Sequence, residues 1–183
     1  MLVNLAYGRT GLPVEFPDDR TTVIEPTYLD GLPDQHGAVR GALEHPNGTA
    51  PLRELVNAGQ TVAISVCDIT RPMPSTTVLP LVLDALAHVP TDQIGILIAS
   101  GTHRATTHDE LVEMLGAAVV DRCRIVVHDA FDDTQLTSLG EVEGRIPVWL
   151  NRTWVEADIR VTTGFVEPHF FAGFSGGPKM VAP

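Results

Sequence analysis

Four short apolar runs place the tightest limit on the fold: Thr61–Cys67, Ile94–Ala99, Arg124–His128 and Ala157–Thr162. The first two are mostly apolar and rich in β-branched residues, which is how a strand covered on both faces reads. Between the runs lie stretches of helical period. Thr76–Val89 carries Val78, Leu79, Val82, Leu83 and Leu86 at helical spacing, and Thr107–Glu110 has the form of a capping box ahead of Leu111, Leu115 and Ala118. Upstream, Pro51 suits the first turn of a short helix bearing Leu52, Leu55 and Val56. A strand–helix–strand–helix–strand order implies parallel strands joined by right-handed crossovers, with helices on both faces. The expected fold is therefore a three-layer, Rossmann-like α/β architecture with a mainly parallel sheet, residues 1–183 forming a single domain. Ile146–Leu150 reads as a further short strand. The first 50 residues read as strand-prone pieces at Leu2–Tyr7, Leu12–Phe16 and Thr21–Pro26, joined by loops.

Composition narrows the partners. The chain has 183 residues and a formal net charge of −11, so nucleic acid is not expected as the main ligand, because phosphate backbones are held by an excess of Lys and Arg. A small anion needs only a local basic spot, and remains open. No apolar run approaches the roughly 20 residues of a membrane-spanning helix, and the start MLVNLAYGRTG lacks the pattern of a secretory signal. Two cysteines, Cys67 and Cys123, make no disulfide framework and no CxxC pair, so a cytoplasmic location is expected.

In parallel sheets ligands bind beyond the carboxyl ends of the strands. The residues just past each run are therefore informative. Asp68-Ile-Thr-Arg-Pro72 sets a carboxylate and a guanidinium three residues apart in a proline-held turn. Arg71 suits two-point binding of a carboxylate or phosphate, with Asp68 orienting it or meeting a ligand hydroxyl; the alternative is a local Asp–Arg pair that closes the turn. Ser100-Gly-Thr-His-Arg104 offers His103 for proton transfer, or simply as a loop histidine. His128 is either a supporting residue or the plain end of a strand. His108 belongs to the capping box, and His36, His45 and His88 carry no assignment. Glu167-Pro-His169, running into Ala172-Gly-Phe-Ser-Gly-Gly-Pro-Lys179, is the most informative stretch. Ser175, Gly176 and Gly177 can turn backbone N–H groups towards an anion, with the charge of Lys179 nearby. It misses the P-loop pattern: Pro178 stands where the second glycine is needed and Met180 where a magnesium-binding hydroxyl is needed, so ATPase or kinase chemistry is not expected. The three histidines 103, 128 and 169 lack zinc-motif spacing.

Taken together, Asp68-Ile-Thr-Arg-Pro72, Gly101-Thr-His-Arg104 and Glu167-Pro-His-Phe-Phe-Ala-Gly-Phe-Ser-Gly-Gly-Pro-Lys179 resemble, in order and separation, the N-terminal domain of the nickel-dependent lactate racemase family. The resemblance runs from about Thr61 to the end. It implies a racemase or epimerase of a small 2-hydroxy acid that works by hydride transfer through a nickel-pincer nucleotide, a pyridinium mononucleotide with two sulfur-bearing arms holding nickel. By position, Lys179 resembles the lysine that carries this group through a thioamide, and His103 and His169 resemble the acid–base pair. Asp68, Thr70 and Arg71 resemble the segment that meets cofactor and substrate. The family's proteins are about twice this length and hold nickel with a further histidine from beyond this segment. The resemblance thus implies a C-terminal domain or partner chain that completes the site, separate enzymes that make the cofactor, and an isolated 183-residue chain that is inactive. Two other readings compete: a non-catalytic α/β module for an anionic nucleotide or phosphorylated ligand, and a metal-dependent hydrolase using His103 and His169.

Overall fold

The structure, a computed structural model, describes residues 1–25 and 27–182. Two compact units emerge, Met1–Leu32 and Pro33–Pro183. In the first, β1 (Leu2–Leu5) and β2 (Leu12–Glu15) form an antiparallel hairpin in which Val3 faces Val14. The strand expected at Thr21–Pro26 is not formed over Thr21–Glu25, where Ile24 is exposed and no ladder partner is present among the described residues. Pro26 lies outside the described residues.

The second unit begins with α1 (Gln35–Glu44), whose N-terminus is capped by the Asp34 carboxylate accepting the Gly37 N–H. The order then runs α2 (Leu52–Leu55), β3 (Val62–Cys67), α3 (Ser75–Ala85), β4 (Ile94–Ala99), α4 (His108–Leu115), α5 (Ala117–Arg122) and β5 (Arg124–Val127). A hairpin comes next, β6 (Leu136–Val142) with β7 (Ile146–Asn151), then α6 (Arg152–Glu156) and β8 (Ile159–Thr162). The chain continues through the two-residue strands β9 (Pro168–His169) and β10 (Gly173–Phe174) to a final 3₁₀ turn, Gly177–Met180. No helix among the described residues is long and apolar enough to cross a membrane.

The central sheet has the order β5-β4-β3-β8, and every pair in it is parallel. This explains where the helices go. The steps β3 to β4 to β5 move in one direction, so right-handed crossovers put α3, α4 and α5 on one face. The return to β8, beside β3, reverses direction and sends α6 to the other face. The reversal lies between β3 and β8, and crevices at such switch points are where open α/β sheets hold ligands.

The two faces differ in side-chain size. On one, the row Val161, Ile64, Ile96 and Ile125 is branched throughout, and it packs with Leu79, Val82, Leu86, Leu115 and Val119 from the helices. Ile64, Ile96, Ile98, Leu79 and Leu86 are fully buried there, each contributing about 1.5–3 kcal/mol of transfer free energy. On the other face, the central strands present Ala63, Ser65, Cys67, Gly95 and Ala99, with Leu97 the one large residue. These small residues let α6 sit low: a Cβ on Gly95 would stand 3.3 Å from Thr153 Cγ2. Two edge-strand arginines bracket α6, Arg124 donating to Thr153 Oγ1 at 3.3 Å and Arg160 to the Trp154 and Val155 carbonyls at 2.8 and 2.6 Å. α6 covers only part of this face. Towards the carboxyl ends of β3 and β4 the small residues leave space, and that space becomes the site.

α1 and α3 also depart from the sequence expectation. α1 falls in a region read as loops, because Gly37 and Gly41 dilute a pattern otherwise set by Ala38, Val39, Ala42 and Leu43. α3 ends at Ala85, short of Val89, although Leu86 and Val89 are buried beyond it.

The capping box of α4 forms as its sequence indicates, and recruits a third member. Thr107 Oγ1 accepts the Glu110 N–H, the Glu110 carboxylate accepts the Thr107 N–H, and Arg104 grips the same carboxylate at 2.9 and 2.6 Å. Arg104 thus anchors the loop that carries His103. Its hydrogen bonds, then the Thr107 N–H, hold the Glu110 carboxyl down at about 2, against its ordinary 4.5. A carboxylate depressed in the folded state stabilises the fold fully above the unfolded value, and that contribution is lost as pH falls through the folded one. The Glu110 carboxyl ¹³C shift should therefore titrate near pH 2; a midpoint near 4.5 would mean that the clamp does not form.

Candidate functional site

The segment after β8 works as a strap that brings the terminal turn under the sheet edge. Thr163 donates from both N and Oγ1 to the Ser65 carbonyl, extending the β8 pairing by one residue. Gly164 then meets Gly176 so closely that a Cβ on Gly164 would lie 2.7 Å from Gly176 Cα. Buried Ser175 ties the strap to itself: its Oγ donates to the Phe165 carbonyl at 2.9 Å and accepts the Glu167 N–H at 3.2 Å. Gly176 has φ of 75°, a left-handed conformation that disfavours any side chain. The last turn docks on the small-residue face, where Ser65 Oγ donates to the Met180 carbonyl at 2.7 Å and Cys67 Sγ lies 3.4 Å from Met180 Sδ. Burial pushes the Cys67 thiol pKa up, so it packs as a neutral thiol. Gly164→Ala is expected to cost about 1–3 kcal/mol by overpacking backbone against backbone. Thermal unfolding checks this, and an unshifted Tm would show that the strap does not need this approach.

A cavity of about 570 Å³ opens between the strap and the sheet edge, within the usual range of small-molecule sites. Cys67, Leu97 and Ala99 of the small-residue face lie on its wall. The structure brings His103, His169 and Lys179 onto this one wall, together with Asp68 and Arg71. Ser175 and Gly176 also line it, whereas Thr70 and Gly177 are not part of the wall.

The geometry gives these residues distinct parts. Asp68 is buried at the end of β3 and places Oδ2 at 2.6 Å from His103 Nδ1. Its other oxygen accepts from Thr70 Oγ1 at 2.6 Å and from Thr70 N at 3.2 Å. Burial pushes this carboxyl up, but the bonds from Thr70 and His103 outweigh that and hold it below the usual carboxylate range. An ionised Asp68 accepts, so His103 Nδ1 donates, and Nε2 of the neutral ring is left with a lone pair. His169 is the reverse. Its Nδ1 accepts the Phe171 and Ala172 N–H groups, both at 3.2 Å, so the neutral ring carries its proton on Nε2. Its ring is stacked on Phe170, with centroids 5.2 Å apart. One imidazole is set up as a base, the other as a donor.

Some sequence assignments change. Asp68 does not pair with Arg71, whose side chain makes no hydrogen bond or ion pair among the described residues; the carboxylate turns to His103, 35 residues away. Thr70 donates to Asp68 from both N and Oγ1 and lies off the cavity wall. The Ser175 N–H donates to the Glu167 carbonyl at 2.9 Å, so it is not available to an anion. Trp149, Asn151 and Trp154, which line the cavity from the β6–β7 hairpin and α6, belong to no motif that sequence reasoning could single out. Phe170 and Phe171 also line it, yet both are more than four-fifths exposed, and such adjacent exposed aromatics were the available signal. Among the described residues, no group of three or more His, Cys, Asp or Glu is placed to hold a metal ion.

Comparison with known proteins gives a consistent assignment. Residues 7–183 match the model of the lactate racemase N-terminal domain. A lactate racemase of Thermoanaerobacterium thermosaccharolyticum is 36% identical over 99% of this chain, and one of Lactiplantibacillus plantarum is 35% identical over 99%. The chain spans 43% and 44% of the length of these two relatives. The lactate racemase apoprotein structure from T. thermosaccharolyticum superposes with a TM-score of 0.81 over the whole chain, covering 43% of that protein. A Thermotoga maritima protein at 25% identity superposes over 84% of the chain, and over 39% of its own, with a TM-score of 0.64.

Proposed function

From the premise that this chain belongs to the lactate racemase N-terminal domain family, we propose that it supplies the acid–base and cofactor-anchoring part of an enzyme that interconverts the stereoisomers of a small 2-hydroxy acid such as lactate. The observation that carries this reading is the Asp68–His103 pair, which shares one cavity with His169 and Lys179. A module that only bound an anion would not need a buried carboxylate committed to orienting a histidine.

The residues present fit a nickel-pincer nucleotide. Lys179 and Arg71 both line the cavity, and neither side chain makes a hydrogen bond or ion pair among the described residues. Lys179 would carry the group covalently and Arg71 would face an anionic part of the group or the substrate carboxylate. When bound, the group supplies an electrophilic acceptor for hydride, so that the barely acidic C–H of the substrate need not be ionised. His103 Nε2 takes the hydroxyl proton, and Asp68 stabilises the resulting imidazolium while holding the ring in place. His169 presents Nε2–H to the substrate oxygen from a second position on the wall. For His169 to take a proton at Nε2, its own proton must first move to Nδ1, which requires the Phe171 and Ala172 N–H groups to withdraw. Phe170 and Phe171 line the cavity while largely exposed, and a C-terminal domain or partner chain would cover them and complete the enclosure. Both cysteines are free thiols, in keeping with a cytoplasmic enzyme.

The test uses the full-length protein made alongside the enzymes that produce the cofactor. D-lactate should convert to a mixture of both isomers on chiral chromatography, with a nucleotide-sized mass increment on the protein. Absence of both, in folded protein, would reject the proposal.

A further inference from the structure

The cavity holds a third imidazole whose chemistry is set by its neighbours. His128 directly follows β5 and lines the wall. Asn151, at the end of β7, caps α6 by accepting the Thr153 N–H on Oδ1 at 3.0 Å. That fixes its amide, leaving Nδ2 at 3.2 Å from both His128 Nδ1 and Gln135 Oε1. Gln135 Oε1 in turn accepts the Asp129 N–H at 3.3 Å. An amide nitrogen only donates, so His128 Nδ1 accepts and the neutral ring carries its proton on Nε2. Burial lowers the His128 pKa, outweighing the opposite pull of Asp129, which favours the uncharged ring. Nε2 has no hydrogen-bond partner among the described residues. β5 lies two strands from β3, about 10 Å at ordinary strand spacing. The Lys179 turn packs on β3 and β8. His128 and Lys179 therefore stand at opposite ends of the row of strand ends, with His103 between them.

We propose that His128 Nε2–H binds the phosphate end of a pyridinium mononucleotide anchored at Lys179. The identity of the ligand rests on the racemase reading above. A ligand tethered at one end of the row and reacting beside His103 has room along the same wall for its tail to continue towards β5. There a fixed, neutral donor meets a phosphate oxygen.

Selective ¹⁵N-histidine labelling of the full-length protein tests the premise. At pH 7, His128 should show the Nε2–H tautomer, and its Nε2 shift should move on adding nicotinate mononucleotide but not the dephosphorylated riboside. Calorimetry tests the contact. His128→Phe should weaken nicotinate mononucleotide about tenfold and leave the riboside unchanged, while His128→Gln, which keeps an N–H donor, should recover part of the loss. An Nδ1–H tautomer overturns the proposal, as does equal weakening of both probes. Weakening of lactate alone also overturns it, since His128 would then serve the substrate carboxylate. If His128→Phe fails to fold, the shift measurements on the unaltered protein still decide. None of these readouts needs nickel or turnover, so failure to racemise lactate would reject the function without deciding this contact.

Discussion

Asp68→Asn in the full-length enzyme should lower racemisation turnover by about 10²- to 10⁴-fold, the usual worth of a positioned general base, with little change in KM or in folding. The reason is a reversal of hydrogen-bond polarity. The substituted amide can keep its oxygen on Thr70, which leaves its nitrogen facing His103 Nδ1. Nδ1 must then accept, so the proton of the neutral ring moves to Nε2, where the lone pair is needed. His103→Ala should cause a loss of similar size, and the double variant little more, because the two residues act as one unit. Steady-state kinetics with D- and L-lactate decide the matter. A turnover within threefold of the unaltered enzyme would mean that Asp68 does not set the state of His103.

Lys179→Ala should abolish racemisation altogether and remove the nucleotide-sized mass increment. The Nζ makes no hydrogen bond or ion pair within the described chain. Its removal should therefore shift stability by no more than about 0.5 kcal/mol, as for other substitutions away from packing and buried networks. Intact mass and Tm, measured on the same preparation, separate loss of attachment from loss of fold. A retained increment, or activity within tenfold of the unaltered enzyme, would place the anchor elsewhere.

The parts of the fold legible in the sequence are those that physics marks locally. β3 and β4 are buried on both faces, so they stand out as mostly apolar runs, and the Thr107–Glu110 box announces the start of α4 in four residues. β6 mixes polar residues and a glycine into its run and is mostly exposed, and α6 is only five residues long, so neither has a periodicity strong enough to read. The convergence of His103, His169 and Lys179 has a local sign in the chain: His103 follows β4 directly, and His169 and Lys179 both lie on the Gly- and Pro-rich segment that leaves β8. The wiring was not. A hydrogen bond between residues 68 and 103 depends on adjacent strands β3 and β4 delivering their ends side by side, and no spacing within either motif encodes it. Asp68 therefore read as a neighbour of Arg71, and Ser175 as an anion-binding turn rather than the knot of the strap.

The unequal faces of the sheet separate two demands that commonly compete. Cohesion resides with the bulky isoleucines and valines under α3, α4 and α5, whereas chemistry occupies the side where Cys67 and Ala99 leave room. On the proposed function, a change of side chain on the floor at Ala99 would remodel which acid fits without disturbing the packing that keeps the molecule folded, a division of labour that leaves specificity free to drift.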